Sequence, residues 1–154
     1  MPKEIERKYL VIGDTWKKLA VGVLYRQGYL SLKQECSVRV RIAGTKGALT
    51  VKGISKGISR SEFEYEIPLV DAQEMLDTLC LKPLIEKLRY RIAYQGHLWE
   101  VDEFLGDNQG LVVAEVELKD PDEKVELPNW IGQEVSDDDR YFNSQLVSHP
   151  YKDW

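Results

Sequence analysis

Along much of this chain, charged and apolar residues alternate with a period of two, the spacing of strands whose successive side chains point to opposite faces. Glu4, Glu6 and Lys8 alternate with Ile5 and Tyr9; Arg39 and Arg41 with Val38, Val40 and Ile42; Glu62, Glu64 and Glu66 with Phe63, Tyr65 and Ile67. Further on, Lys87, Arg89 and Arg91 alternate with Leu88, Tyr90 and Ile92; Glu100 and Asp102 with Trp99 and Val101; Glu115 and Glu117 with Val116 and Leu118. Any one such strand fits a half-solvated antiparallel sheet. The set as a whole does not, because some strands are acidic on the polar face and others basic, and like charges in a row repel unless something neutralises them. The pattern suits a surface that binds cations and a polyanion together, carboxylates holding metal ions and Arg and Lys holding phosphate oxygens.

Strands are expected near residues 3–12, 24–34, 37–43, 47–53, 60–68, 85–95, 97–105 and 110–119, separated by turn signals at 43–47, 95–97 and 106–110. The longer connection at 53–60 reads as a mobile loop. Helical pattern occurs three times. Asp14 caps a short helix through Trp16 and Leu19; Asp71 and Glu74 form a capping box before Met75, Leu76 and Leu79; Ser136 and Asp137–Asp139 open a helix through Tyr141, Phe142 and Leu146. The order reads as a weak duplication, strand, helix and three strands, twice. The fold class is α+β, with eight short strands forming a closed antiparallel barrel or a sandwich.

A closed barrel leaves two choices. With the apolar parity inside, the charges face solvent. With the charged parity inside, Glu4, Glu6, Lys8, Arg39, Arg41, Lys52, Glu62, Glu64, Lys87, Arg89, Asp102, Glu115 and Glu117 line a hydrated tunnel. The apolar parity then needs outside cover, which the helices supply in part, and an uncovered patch would favour a homodimer.

A length of 154 residues makes a single domain, 1–154, the default, and 43% apolar content suffices for a core. The charged fraction of 31% is high, yet the net charge is only −5, whereas a nucleic-acid binder would show a basic excess. No nucleic-acid partner is expected. Cys36 and Cys80 lack metal-ligand spacing and read as reduced thiols. With no apolar signal segment and no bilayer-length apolar run, the expectation is a cytoplasmic protein without membrane contact.

These residues carry a resemblance. Glu4-Ile5-Glu6-Arg7-Lys8 resembles the N-terminal Glu-x-Glu-x-Lys signature of the CYTH superfamily, the triphosphate tunnel metalloenzymes. The likeness continues through Arg39-x-Arg41, Lys52, Glu62-x-Glu64, Lys87-x-Arg89, Asp102, Glu115-x-Glu117 and the terminal Asp139-Arg140-Tyr141-Phe142-Asn143. It implies an eight-stranded antiparallel tunnel, dependence on a divalent metal, and a substrate bearing a triphosphate. The chemistry of the residues agrees with this. Arg39, Arg41 and Arg89 offer bidentate forks to phosphate, and Lys8, Lys52 and Lys87 act as point charges. Glu4, Glu6, Asp102, Glu115 and Glu117 are hard oxygen ligands suited to Mg2+ or Mn2+. Glu62 and Glu64 would hold a second ion or orient the attacking water, and Tyr29 with Lys87 would serve the leaving phosphate.

The reading is metal-dependent hydrolysis of inorganic triphosphate. Class IV adenylyl cyclases and thiamine triphosphatases belong to the same superfamily and are the alternatives, with a non-catalytic polyphosphate-binding module as the alternative outside enzymes. Arg91 extends the basic row toward the tunnel mouth, and Arg140 and Tyr141 sit where a C-terminal helix would close one end. Arg7 has the outward parity, and neither His97 nor His149 is placed as a base. Removing one carboxylate charge, at Glu4 or Glu115, is expected to weaken metal binding and relieve repulsion in the metal-free protein.

Overall fold

The computed structural model describes residues 2–154. Its elements are β1 (Lys3–Val11), β2 (Val23–Lys33), β3 (Cys36–Ala43), β4 (Lys46–Gly53), β5 (Ser59–Ile67), α1 (Leu69–Thr78), β6 (Ile85–Tyr94), β7 (His97–Phe104), β8 (Val112–Glu117), β9 (Ile131–Glu134) and α2 (Asn143–Ser148). The strands pair in the order β5-β4-β3-β2-β6-β7-β8-β1-β9, and β5 also pairs with β1. Lys3–Ile5 of β1 meet β5 while Glu6–Leu10 meet β8, so β1 to β8 close into an antiparallel ring of eight strands. Residues Tyr9 and Val11 pair with β9, which extends β1 beyond the ring.

The duplicated order is present. β1, a 3-10 turn (Thr15–Lys18) and β2–β4 are followed by β5, α1 and β6–β8. Each helical piece covers strands of the other half or its own outer face. Trp16 packs edge-on against Tyr90 of β6 at 4.9 Å, and α1 lays Ala72 and Leu76 on Val40 and Ile42 of β3. A side chain at Gly47 of β4 would meet Ala72 Cβ at 2.8 Å, so glycine sets how closely α1 can approach.

The apolar parity therefore lies outside the ring and is roofed in part, Leu24 and Tyr65 remaining exposed. One outer cluster joins Tyr9, Trp16, Ile92, Trp99, Val101, Val116 and Trp130. Fully burying large apolar side chains of this kind contributes roughly 1.5–3 kcal/mol each. A further cluster uses the inward parity. Tyr29, Ile85, Phe104 and Val113 continue the rows of charged residues toward one end, where they meet Tyr141, Leu146 and Val147. That end of the ring is thus filled by apolar packing under α2. Val21, Val70 and Leu79 stay exposed. No helix among the described residues is long and apolar enough to cross a membrane.

Several local expectations are corrected. Asp14 precedes only a 3-10 turn and makes no side-chain cap. α1 starts earlier than the capping box implied: Pro68 is its N-cap and Asp71 lies in its first turn, and a proline, having no N–H to donate, loses no helical hydrogen bond at a helix start. Ser136 opens no helix; its Oγ accepts from the Lys8 backbone N at 2.9 Å and donates to Glu134 at 2.7 Å. Asp138 instead caps a 3-10 turn at Asp139–Tyr141, and α2 follows separately. β9 was not anticipated; four residues are too few for a periodicity to register. Within the 53–60 loop, Lys56 and Ser59 form a bridge that tightens it into a turn.

Candidate active site

Register alone assembles the charges. In the ring, β7, β8, β1 and β5 are contiguous, as are β4, β3, β2 and β6. The first arc turns Glu100, Glu115, Glu117, Glu4, Glu6, Glu62 and Glu64 toward a central cavity, and the second turns Lys52, Arg39, Arg41, Tyr25, Tyr29, Lys87, Arg89 and Arg91 toward it. Lys8 and Arg60 are the basic residues set within the acidic arc. The cavity has a volume of about 280 Å³, and Phe142, Asn143 and Ser144 border it from the C-terminal segment.

The basic arc is held from behind. Asp102 is 1% exposed and grips Arg89 with both oxygens, at 2.7 and 2.8 Å, while one of them also takes Lys87 Nζ at 2.8 Å. Burial pushes the Lys87 ammonium down to about 8, against the pull of Asp102. Glu64 braces the other guanidinium pair: one of its oxygens lies 3.5 Å from Arg39 and 3.4 Å from Arg41, and accepts from Thr50 at 2.8 Å. Burial raises the Glu64 pKa, but the Thr50 hydrogen bond and the two arginines leave it below the ordinary value. Tyr25 stands between Arg41 and Arg89, 5.1 and 5.0 Å from its ring, in cation–π contact that separates two like charges. The Nε atoms of Arg39 and Arg41 are buried without a hydrogen-bond partner. A buried donor left unsatisfied is costly, so these atoms await an acceptor.

The acidic arc is divided. Glu4 is neutralised: Lys52 lies at 2.9 Å and Arg60 at 3.1 Å, and although burial opposes it, these cations hold its carboxyl well below the ordinary range. Glu115 has Lys8 at 3.7 Å and is lowered to about 2 by Lys8, Arg89 and Lys87 despite its burial. Glu6 and Glu117 are different. They face each other across β1 and β8, and Glu100 faces Glu115 across β7 and β8. Burial, then Glu115 and Glu4, push the Glu6 carboxyl up; burial, then Glu4, Glu62 and Glu100, push Glu117 up. Glu62 is raised by burial and Glu4 even with Lys52 at 3.2 Å. Directly opposed like charges destabilise a sheet. Among the described residues no three His, Cys, Asp or Glu side chains already stand together as an ion cage. The donor chemistry nevertheless fits a divalent cation, since unneutralised carboxylates with hard oxygens line one wall.

Of the residues singled out in the sequence, Glu4, Glu6, Lys8, Tyr29, Arg39, Arg41, Lys52, Glu62, Glu64, Lys87, Arg89, Glu115 and Glu117 border the cavity. Asp102 does not; its oxygens are spent on Arg89 and Lys87, which places it behind the wall. Arg91 reaches the rim with its side chain 62% exposed and paired to Glu100 at 3.6 Å. Tyr141 belongs to the packed end, while Arg140 pairs with Asp138 at 2.7 Å on the surface. Arg7 points outward to Glu134 at 3.1 Å. Glu100, Arg60 and Tyr25 were missed as site residues, though each shares the parity of a neighbour already named. Phe142 and Asn143 arrive from a distant segment, and no periodicity announces them.

The structure is a closed antiparallel ring with opposed acidic and basic walls. The CYTH domain family model matches residues 2–149, and the chain belongs to that family. It is 58% identical over 154 residues to an inorganic triphosphatase of Acetivibrio thermocellus, covering 100% of this chain and 99% of that protein. It is 37% identical over 148 residues to an inorganic triphosphatase of Nitrosomonas europaea, covering 94% and 96%. A crystal structure of an inorganic triphosphatase superposes with a TM-score of 0.67 at 31% identity, over 93% of this chain and 96% of that one.

Proposed function

We propose that this protein hydrolyses inorganic triphosphate to pyrophosphate and phosphate with the help of Mg2+ or Mn2+. The observation that carries the reading is the coexistence, in one cavity, of an acidic wall on which Glu6 stands opposite Glu117 and guanidinium Nε donors without an acceptor in the protein. The two 37–58% identical relatives named as inorganic triphosphatases support it.

Phosphoryl transfer needs mainly positioning and charge neutralisation. Arg39, Arg41, Lys52 and Arg89 bind the phosphate oxygens, with Lys8 contributing from the opposite wall. Glu6, Glu115 and Glu117, with Glu4 beside them, would hold the divalent ion, which supplies Lewis-acid stabilisation of the charge on the phosphate oxygens. Asp102 is left out of that set and assigned to holding Lys87 and Arg89. Glu62, with its raised pKa, is the better proton acceptor of the Glu62 and Glu64 pair, since Glu64 is committed to Arg39 and Arg41. Water attacks the terminal phosphorus and gives a proton to Glu62; the new P–O bond forms as the bridging P–O bond breaks. Lys87 and Tyr29 face the departing pyrophosphate and stabilise its charge.

The cavity favours a small polyanion over a nucleotide. At about 280 Å³ it lies just below the roughly 300–1,000 Å³ range of drug-sized ligand pockets. Its aromatic rings are also engaged: Tyr25 by two arginines, and Phe142 by Lys8 at 4.7 Å and Arg60 at 5.8 Å. The third lining ring, Tyr29, is buried in the apolar cluster at the filled end. The free thiols of Cys36 and Cys80 suit a reducing cytoplasm. The test is phosphate release from tripolyphosphate, ATP, thiamine triphosphate and pyrophosphate with Mg2+ or Mn2+, with cyclic AMP assayed in parallel. Tripolyphosphate should give the highest kcat/KM and no cyclic AMP should form. Cyclic AMP from ATP, or full activity in EDTA, would refute the reading.

A further inference from the structure

The Lys87 ammonium is 1% exposed and has two acceptors inside the protein, Asp102 Oδ2 at 2.8 Å and Asn143 Oδ1 at 2.9 Å. Asn143 begins α2, more than fifty residues away in sequence, and its oxygen also accepts from Gln27 Nε2 at 3.0 Å. An amide oxygen has two lone pairs, and both are used here. Two donors converging on one atom also fix the amide's orientation, because its NH2 group would meet only donors. Gln27 is 0% exposed, so this contact is shielded from water. An ammonium has three N–H groups; with two engaged, one is left for the cavity that Lys87 borders.

We infer that Asn143, oriented by Gln27, is a positioning residue that aims Lys87 at the departing phosphate and makes the active site complete only when the C-terminal segment is docked. The inference rests on the triphosphatase reading. A neutral acceptor suits this task. A second carboxylate beside Lys87 would cancel the charge that Lys87 offers the phosphate, whereas an apolar residue would free the ammonium to turn toward Asp102. The apolar packing of Leu146 and Val147 holds α2 in place, and Asn143 carries that placement to the reacting end of the substrate.

The experiment compares steady-state tripolyphosphate hydrolysis by the parent, Asn143→Ala, Gln27→Met and the double variant. Misaiming a group that acts on the leaving phosphate should lower kcat by about ten- to a hundredfold while leaving KM within about twofold, the signature of an interaction made in the transition state. The two single losses should not multiply in the double variant, because both act through one oxygen. Gln27→Met keeps the buried volume and decides the matter if Asn143→Ala fails to fold. An active parent with unchanged kcat in the folded variants overturns the inference alone, as does full multiplication of the two losses. A parent that releases no phosphate overturns the triphosphatase reading together with this inference.

Discussion

Asp102→Asn is expected to lower the melting temperature by roughly 6–20 °C, the equivalent of about 3–5 kcal/mol for breaking a buried ion pair. Asp102 is the shared counter-ion of Arg89 and Lys87, all three nearly inaccessible to solvent. Asparagine keeps the shape and removes the charge, so two adjacent buried cations lose their shared counter-ion, and only Arg89 keeps a paired carboxylate, Glu100 at 3.4 Å. Calorimetry on the metal-free protein is the measurement. The same variant should bind Mn2+ with near-parent affinity wherever it remains folded, because Asp102 does not border the cavity. A large loss of Mn2+ affinity with unchanged stability would instead return Asp102 to the metal site.

Glu115→Gln and Glu6→Gln should both abolish most metal-dependent hydrolysis, by about a hundredfold or more, yet move stability in opposite directions. Glu115 is paired with Lys8 and titrates near 2. Its folded pKa is below the unfolded value, so its stabilisation is complete above the ordinary 4.5 and is lost as pH falls toward 2. Removing the charge forfeits that contribution at neutral pH. Glu6 has the reverse sign. Its folded pKa is raised by burial and by Glu115 and Glu4, so the metal-free fold loses stability as pH rises from 4.5 through the raised value. Glu6→Gln should therefore raise the neutral-pH melting temperature of the metal-free protein by about 2–4 °C, the shift that ~1 kcal/mol produces at this size. Melting curves across pH 4–8 would check it; a destabilised Glu6→Gln would contradict the electrostatics of the acidic wall.

This division corrects the sequence-based expectation that Glu4 or Glu115 would be the carboxylates whose removal relieves repulsion. Parity revealed that these side chains share a face, because β-strand geometry fixes that within a segment. Which acids find a cation depends on register between strands far apart in sequence: Lys8 falls opposite Glu115, and Glu6 opposite Glu117. Asp102 shows the same limit. It has the parity of Glu100, but its position opposite Arg89 and next to Lys87 draws it behind the wall. The eight strands were legible because alternation and turn residues are local signals, whereas their closure into a ring, rather than a sandwich, was implied only by the family resemblance. The C-terminal segment was not, since a 3-10 turn and a six-residue helix carry little periodicity and the value of Asn143 lies entirely in a tertiary contact.

If one cavity takes a divalent cation on its acidic arc and a triphosphate on its basic arc, the two ligands should stabilise the fold together. The most direct test is the melting temperature with Mg2+ alone, tripolyphosphate alone, and the two together. Each ligand neutralises one wall and reduces repulsion there, and each supplies charge that attracts the other, so their binding is coupled. The combined shift should exceed the sum of the separate shifts, and pyrophosphate with Mg2+ should give less. A combined shift no larger than that sum, or no shift with both ligands present, would contradict the coupling.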